Sequence, residues 1–584
     1  MSKVIMSGNE AVARGAWEGG VTVAAAYPGT PSTEILENVA LYKNDIYCEW
    51  APNEAVAAEV GLGAAVGGAR SMVTFKHVGM NVATDPIFVA GSTGVNGGLV
   101  FVDADDPGCH SSQNEQDNRW YAPHAKLAML EPSDSQECKD FMRDAFKLSE
   151  KYDIAVLLRM TTRVCHSKSL VELGDRDGAE VKPYVYNKEK YSLLPANALK
   201  RHPIVEGNLR RLAEDAETLP FNKVEDNGSD IGVITSGISY QYVKEVFGDS
   251  ANILKLGLTY PFPEKLISDF ASKQKTLYVV EENDPFLETE VKALGFKCTG
   301  KDKIPGCGEL NAAVVKEALT GVKDPSVYEV AGEVPSRPPM LCAGCPHRGF
   351  FDVISRSHKR LVLAGDIGCY GLGTYDYSFC MGAGFSSTVG MAKALELQGD
   401  KRKVLGMVGD STFFHSGVNG LFDIFSTQVN VIACILDNSI TAMTGHQDNP
   451  GTAKNLMGED KPAISIEAVV RAIGFTDENI RVVDPLDLKA MQAALNDGIN
   501  YTGPFVIITK RPCALIREVR KANAGKFYIV DTEKCTGCKV CVGVTCPALS
   551  FENGAAKIDP SQCTGCGLCA QKCHFGAIIK GGEF

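Results

Sequence analysis

Eight of the chain's twenty cysteines fall between Cys535 and Cys573, in two runs of the same form. The first is Cys535-Thr-Gly-Cys538-Lys-Val-Cys541, followed by Cys546-Pro547; the second is Cys563-Thr-Gly-Cys566-Gly-Leu-Cys569, followed by Cys573. This spacing constrains the fold more than any hydrophobic pattern in the chain. Thiolates two residues apart on a tight turn take three corners of one iron–sulfur cubane and leave the fourth corner to a distant cysteine. A pair of zinc sites built from the CxxC pairs is the alternative reading, but a doubled run of eight thiolates is far more specific than one CxxC.

The module resembles the bacterial two-cluster ferredoxins, in which the fourth cysteine of each run serves the other cluster. That resemblance implies one [4Fe-4S] set of Cys535, Cys538, Cys541 and Cys573, and a second of Cys563, Cys566, Cys569 and Cys546. Two departures stand out: four residues precede Cys546, and His574 replaces the usual proline after the second run.

At 584 residues the chain exceeds what one core supports, so three to five domains are expected. A net charge of −12 argues against a nucleic-acid-binding surface, which needs clustered Lys and Arg. The N-terminal stretch lacks a basic segment followed by an apolar run, and no stretch approaches the roughly 20 apolar residues that span a bilayer. A cytoplasmic protein without membrane or nucleic-acid contact is expected, and its cysteines point to metal or redox chemistry rather than disulfides.

Strand and helix signals alternate from the N-terminus. An apolar strand at 21–26 leads into the loop Tyr27-Pro-Gly-Thr30-Pro31, with Ser32 or Thr33 capping the next helix. Residues 55–66 suit a helix packed closely on a sheet, and 99–102 and 155–158 read as buried parallel strands. Residues 191–228 are polar and punctuated by proline, the signature of a linker. A second α/β stretch has strands at 231–235 and 277–281, and the Pro-rich segment 329–339 is the next boundary. A third has strands at 404–408, 431–436 and 505–508, and a basic connector leads to the cysteine-rich module. The only clear internal repeat is the doubled cysteine run. The expected fold is α/β: three doubly wound domains and a small α+β ferredoxin module.

The strand at 404–408 ends in Gly409-Asp410-Ser411, and the strand at 431–436 ends in Asp437-Asn438-Ser439-Ile440. A magnesium-bound diphosphate needs hard oxygen ligands at the carboxyl ends of neighbouring strands, beside a helix N-terminus. Asp410, the Asn438 amide and a backbone carbonyl near Ile440 would supply them; strands that merely end in turn residues are the bland alternative. The pattern resembles the GDG…NN motif of thiamine-diphosphate enzymes, with Ser411 and Asp437 as departures. Asn53-Glu54 and the small-residue helix after it resemble the pyrimidine domain of that superfamily. There a glutamate hydrogen-bonds the aminopyrimidine ring and promotes its imino tautomer. The alternative for Glu54 is a plain helix cap.

Taken with Tyr27-Pro-Gly-Thr-Pro-Ser32, these motifs resemble the 2-oxoacid:ferredoxin oxidoreductases. Cys342-Ala-Gly-Cys345-Pro-His-Arg348, Gly365-Asp-Ile-Gly-Cys369-Tyr, Thr441-Ala-Met-Thr444-Gly-His446-Gln and Ser111-Ser-Gln-Asn-Glu-Gln-Asp-Asn-Arg119 bring the chain nearest to large (α) subunits of the indolepyruvate type. The resemblance covers the whole chain. It implies a pyrimidine domain at 1–190, a transketolase-C-terminal-like domain at 191–335, a diphosphate domain at 336–516 and a ferredoxin domain at 517–584. It further implies oxidative decarboxylation of an aryl pyruvate, with electrons leaving singly through the clusters to an external ferredoxin and the acyl group passing to coenzyme A. Pyruvate or a branched-chain 2-oxoacid is the alternative substrate. The implied partner is a smaller β subunit in an α2β2 assembly.

By the same resemblance Glu54, Gly409, Asp410, Asn438, Ile440 and Thr444 contact thiamine diphosphate or its Mg2+. Thr30 contacts substrate, and Cys342, Cys345, Cys369 and Cys513 hold a third, proximal [4Fe-4S] cluster. Buried small hydrophobes are the alternative for Cys369 and Cys513. His347 and His446 are expected at the cofactor face as a proton donor or an indole contact, or else as structural histidines. Arg119 is expected either to pair with the substrate carboxylate or to sit in a salt-bridged loop. Trp120 and Tyr121 read as core or interface. Iron analysis of the anaerobically purified chain checks the third cluster: about twelve irons per chain are expected, and about eight would remove it.

Overall fold

The computed structural model describes residues 2–178, 180–323, 332–373, 377, 378 and 380–581. The chain divides into two compact units, Met1–Glu333 and Val334–Phe584. Residues 329–331 of the expected Pro-rich boundary lie outside the described residues.

The first unit is built on a seven-stranded sheet. Its strands run in the order Leu258–Tyr260, Ala128–Leu130, Val156–Thr161, Leu99–Asp105, Ser71–Lys76, Val23–Ala26 and Tyr47–Trp50. All are parallel except Leu258–Tyr260, which pairs antiparallel with Ala128–Leu130. The central strands are buried along their whole length, as the run Leu-Val-Phe-Val at 99–102 requires of a sheet covered on both faces. A smaller sheet follows, with Thr276–Val280, Ile231–Ser236 and Asn252–Leu256 parallel and Lys223–Glu225 antiparallel at the edge. The chain leaves this sheet at Leu256 and joins the larger one at Leu258, so the two α/β stretches share one body.

Residues 191–228 are not the linker expected of them. They contain the helix Pro195–Ala216, opened by a proline in its first turn and carrying Pro203 inside. Val205, Leu209, Leu212 and Ala216 recur at helical spacing and are buried, and Arg201 pairs with Asp153 at 2.6 Å. The polar composition of the outer face hid this stripe. Ser32 occupies the N-cap position of Thr33–Val39, but its hydroxyl donates to the Gly29 carbonyl at 2.9 Å instead of capping.

The second unit carries a six-stranded parallel sheet ordered Tyr377–Ser378, Leu361–Gly365, Lys403–Gly409, Val431–Asp437, Phe505–Lys510 and Ile480–Val483. The cysteine-rich module ends the same unit as two antiparallel ribbons, Tyr528–Val530 with Ile578–Lys580 and Leu549–Glu552 with Ala555–Ile558. No helix among the described residues is long and apolar enough to cross a membrane. Leu212, fully buried on the helix that replaces the linker, supplies a test of that packing. Leu212→Ala is expected to destabilise the unit by about 2–5 kcal/mol, measured as a lowered urea midpoint.

Candidate functional site

In the second unit, Lys403–Gly409 and Val431–Asp437 lie side by side, so their carboxyl ends bring Asp410 and Asn438 together. The Ile440 amide donates to Asp410 Oδ2 at 3.0 Å and is also within 3.3 Å of Asn438 Oδ1, so the two oxygens converge on one N–H. The Asn438 carbonyl accepts from Cys513 N at 2.8 Å, which fixes the turn. Burial, and then the Asp437 carboxylate, push Asp410 up to about 7. Asp410 forms no salt bridge among the described residues. Converging hard oxygens around an uncompensated buried carboxylate suit a magnesium-bound diphosphate.

Sequence reasoning missed Asn449, whose amide donates to Asp410 Oδ2 at 3.3 Å. It also missed the network behind Gly409: Tyr370 donates to Asp366, approaches Thr412 Oγ1 at 3.2 Å and lies against Gly409. Burial raises Asp366 to about 7. Asp366 and Tyr370 stand inside a quoted motif, but nothing in their spacing announced the contact. Thr444 donates to Gln447 within its own loop at 2.5 Å.

His347 opens the helix His347–Ser357, is fully buried, and has Nε2 3.5 Å from the Asn438 amide nitrogen. Burial lowers its pKa to about 4, so the imidazole is neutral near pH 7 and is placed to orient Asn438. His446 is exposed in a left-handed conformation (φ 70°), with Nε2 3.8 Å from Cys513 Sγ.

Cys342, Cys345, Cys369 and Cys513 lie close enough for their charges to interact. Burial lifts the Cys369 thiol to about 11, reinforced by Cys513, Cys342 and Asp410, and lifts Cys345 to about 12, reinforced by Cys369 and Cys513. Arg348 ties this quartet to the C-terminal module. It donates to the Cys342 carbonyl at 2.8 Å, to the Leu341 carbonyl, and to the Thr545 carbonyl at 2.6 Å. Thr545 adopts a left-handed conformation (φ 54°) that absorbs the extra residue before Cys546. Gly344, at φ 70°, presses so closely on Thr564 that a Cβ there would stand 2.0 Å from its hydroxyl.

Two cavities occupy the module. One is lined by Cys546, Cys563, Cys566 and Cys569 together with Gly344 and Arg348. The other is lined by Cys535, Cys538, Cys541 and Cys573. Backbone amides point at the sulfurs: Tyr528 N to Cys563 Sγ at 3.4 Å and Ala577 N to Cys573 Sγ at 3.2 Å. No group of three ligands among the described residues is tight enough for a single ion. Thiols spread around a cavity are what a cubane needs, because its inorganic core holds them apart.

In the first unit Asn53 caps the helix Glu54–Val66, accepting from Val56 N at 2.8 Å, so the cap is not the task of Glu54. Glu54 is buried with its carboxylate over Gly79, while Glu59 is exposed. Thr30 is half-buried in the loop after Val23–Ala26.

Arg119 corrects one expectation. It is fully buried, chelates Asp117, pairs with Glu281 at 2.6 Å, and donates to the carbonyls of Glu282 and Asp284 at 2.9 Å each. Every arm of the guanidinium is engaged by the protein, which leaves none for a substrate carboxylate. Trp120 packs edge-on against Phe286 and donates to Asp284 at 2.9 Å, and Tyr121 donates to Asn81 at 2.7 Å.

The chain matches family models at three places. Residues 14–216 match the pyruvate flavodoxin/ferredoxin oxidoreductase thiamine-diphosphate-binding domain, 366–509 the C-terminal domain of thiamine pyrophosphate enzymes, and 527–574 the 4Fe-4S dicluster domain. Fold and site thus define an iron–sulfur enzyme of the thiamine-diphosphate class. The indolepyruvate oxidoreductase subunit IorA of Archaeoglobus fulgidus is 40% identical over 99% of this chain and 97% of its own length. The same subunit of Pyrococcus horikoshii is 39% identical over 100% and 97%, and that of Methanothermobacter marburgensis 40% over 100% and 98%. The chain belongs to the 2-oxoacid:ferredoxin oxidoreductase family, in its indolepyruvate oxidoreductase branch. Arg119→Met is expected to cost about 3–5 kcal/mol of stability by leaving Asp117 and Glu281 unpaired. The folded enzyme should keep its KM for a 2-oxoacid; denaturant titration beside steady-state assays checks both.

Proposed function

We propose that this chain catalyses oxidative decarboxylation of aryl 2-oxoacids, indolepyruvate foremost. In this reading electrons pass through [4Fe-4S] clusters to an external ferredoxin, and the acyl group leaves on coenzyme A. The carrying observation is the thiol quartet Cys342, Cys345, Cys369 and Cys513 beside Asp410, tied through Arg348 to the module that holds the other eight cysteines. A non-oxidative decarboxylase has no use for such a path.

Thiamine diphosphate supplies, when bound, the nucleophile and electron sink for loss of CO2. Asp410, Asn438 and the Ile440 carbonyl are the proposed Mg2+ ligands, with Gly409 and Thr444 beside the diphosphate. Glu54 is proposed to hold a proton at the aminopyrimidine ring, a role that its burial over Gly79 supports. In this reading residues 1–190 are a pyrimidine-binding domain, 191–335 a transketolase-C-terminal-like domain, 336–516 a diphosphate-binding domain and 517–584 the ferredoxin domain. Neutral His347 keeps the Asn438 amide oxygen turned toward Asp410.

The relay would run from the quartet to Cys546, Cys563, Cys566 and Cys569, whose cavity Gly344 and Arg348 also line. It would end at Cys535, Cys538, Cys541 and Cys573. The relatives are named as a subunit, which supports a smaller β partner in an α2β2 assembly.

With viologen as acceptor, the anaerobic complex is expected to prefer indolepyruvate and phenylpyruvate to pyruvate; preference for pyruvate sinks the aryl assignment. Asp410→Asn and Glu54→Gln should each lower turnover by at least about 100-fold, while the visible spectrum of the clusters stays unchanged.

A further inference from the structure

With Arg119 committed to its own carboxylates, the substrate's carboxylate needs another cation. The topology of the first unit offers one. From Val23–Ala26 the chain goes out to Tyr47–Trp50 on one side, then crosses to Ser71–Lys76 on the other. The carboxyl ends of Val23–Ala26 and Ser71–Lys76 therefore flank a topological switch point, the place where open α/β sheets bind ligands. Thr30 lies in the loop after the first of these strands, and Lys76 ends the second.

Two contacts hold Lys76 at this crevice, and a third ties its partner Ser111 to the loop of Thr30. Its ammonium donates to the Ser111 carbonyl at 2.5 Å, and the Ser111 hydroxyl in turn reaches the Thr30 carbonyl at 3.4 Å. The loop of Thr30 passes directly over the Lys76 stem, where a Cβ on Gly29 would stand 2.8 Å from Lys76 Cβ. Glu54 lies over Gly79, one turn further along the helix that begins after Lys76.

Lys76 forms no ion pair among the described residues. The Asp106 carboxylate acts on Lys76 only through its field, its oxygens accepting from Ser111 N at 2.8 Å, Ser112 Oγ at 2.5 Å and Thr162 Oγ1 at 2.6 Å. Burial lowers the Lys76 pKa, against the opposing pull of Asp106 and Cys109, neither of which contacts the ammonium.

We propose that Lys76 binds the carboxylate of the 2-oxoacid beside Thr30, and that Lys76 rather than Arg119 makes a carboxylate a requirement of the substrate. The proposal rests on the 2-oxoacid reading above. A single ammonium suits the chemistry better than a bidentate guanidinium. It orients the acid without gripping it so firmly that loss of neutral CO2 is opposed, so the interaction is felt in binding more than in turnover.

The test uses the assembled holoenzyme and two unreactive indole competitors, indolelactate with a carboxylate and tryptophol without one. Lys76→Met is expected to raise KM for indolepyruvate and Ki for indolelactate about tenfold or more, with kcat within about threefold and Ki for tryptophol unchanged. Lys76→Arg should restore most of the loss. Labelling of wild-type Lys76 by an amine-reactive reagent, followed by peptide mass spectrometry, should be slowed by indolelactate and not by tryptophol. Parallel changes for both competitors, or equal protection by both, would overturn the assignment and leave Lys76 as a brace for the Ser111 loop. A wild-type complex that turns over no 2-oxoacid at all overturns the functional reading itself.

Discussion

Parallel strands impose the constraint on which the rest of this molecule depends. Every strand of a parallel sheet delivers its following loop to the same edge, so residues far apart in sequence meet there without further design. In the first unit that edge collects Thr30, Glu54, Lys76 and Asp106; in the second it collects Asp366, Asp410, Asn438 and Cys513. The shared Ile440 amide and the bond from Cys513 N to the Asn438 carbonyl follow from register alone.

Burial then gives these residues their chemistry. Asp410 and Asp366 sit where water stabilises their charge poorly, and burial raises both to about 7. An uncompensated carboxylate in such a place has a strong appetite for a cation, whereas Arg119 shows the opposite solution. Two carboxylates and two carbonyls engage its three nitrogens, and the result is a structural strut between residues 117–119 and 281–284. The same residue type would have served a substrate had its neighbours been different.

Arg348 performs a comparable bracing task in the second unit, at the point where thiol quartet and C-terminal module meet. Its donors reach carbonyls on both sides of the junction, and Gly344 removes the side chain that would keep the loops apart. Close approach matters for a relay because electron transfer weakens steeply with distance. The left-handed turn at Thr545 makes the unusual spacing before Cys546 part of this junction. His574 is exposed at the far side of the module, and the structure gives it no comparable task.

Local spacing carried the chemistry of this protein. The eight clustered cysteines, the Gly409-Asp410 and Asp437-Asn438 strand ends, and the Asn53-Glu54 helix start were legible because each depends on a few neighbouring residues. The helix Pro195–Ala216 was not, because its proline and polar residues outweighed a buried stripe that only its packing reveals. Nor was the fate of Arg119, because three of its four partners, Glu281, Glu282 and Asp284, lie more than 160 residues downstream. Sequence determines which groups are present and which short patterns they form. Whether a charge is satisfied by the protein or left to a ligand depends on neighbours brought together by folding, and that is why tertiary structure alone decided that Arg119 is held by carboxylates of the protein itself.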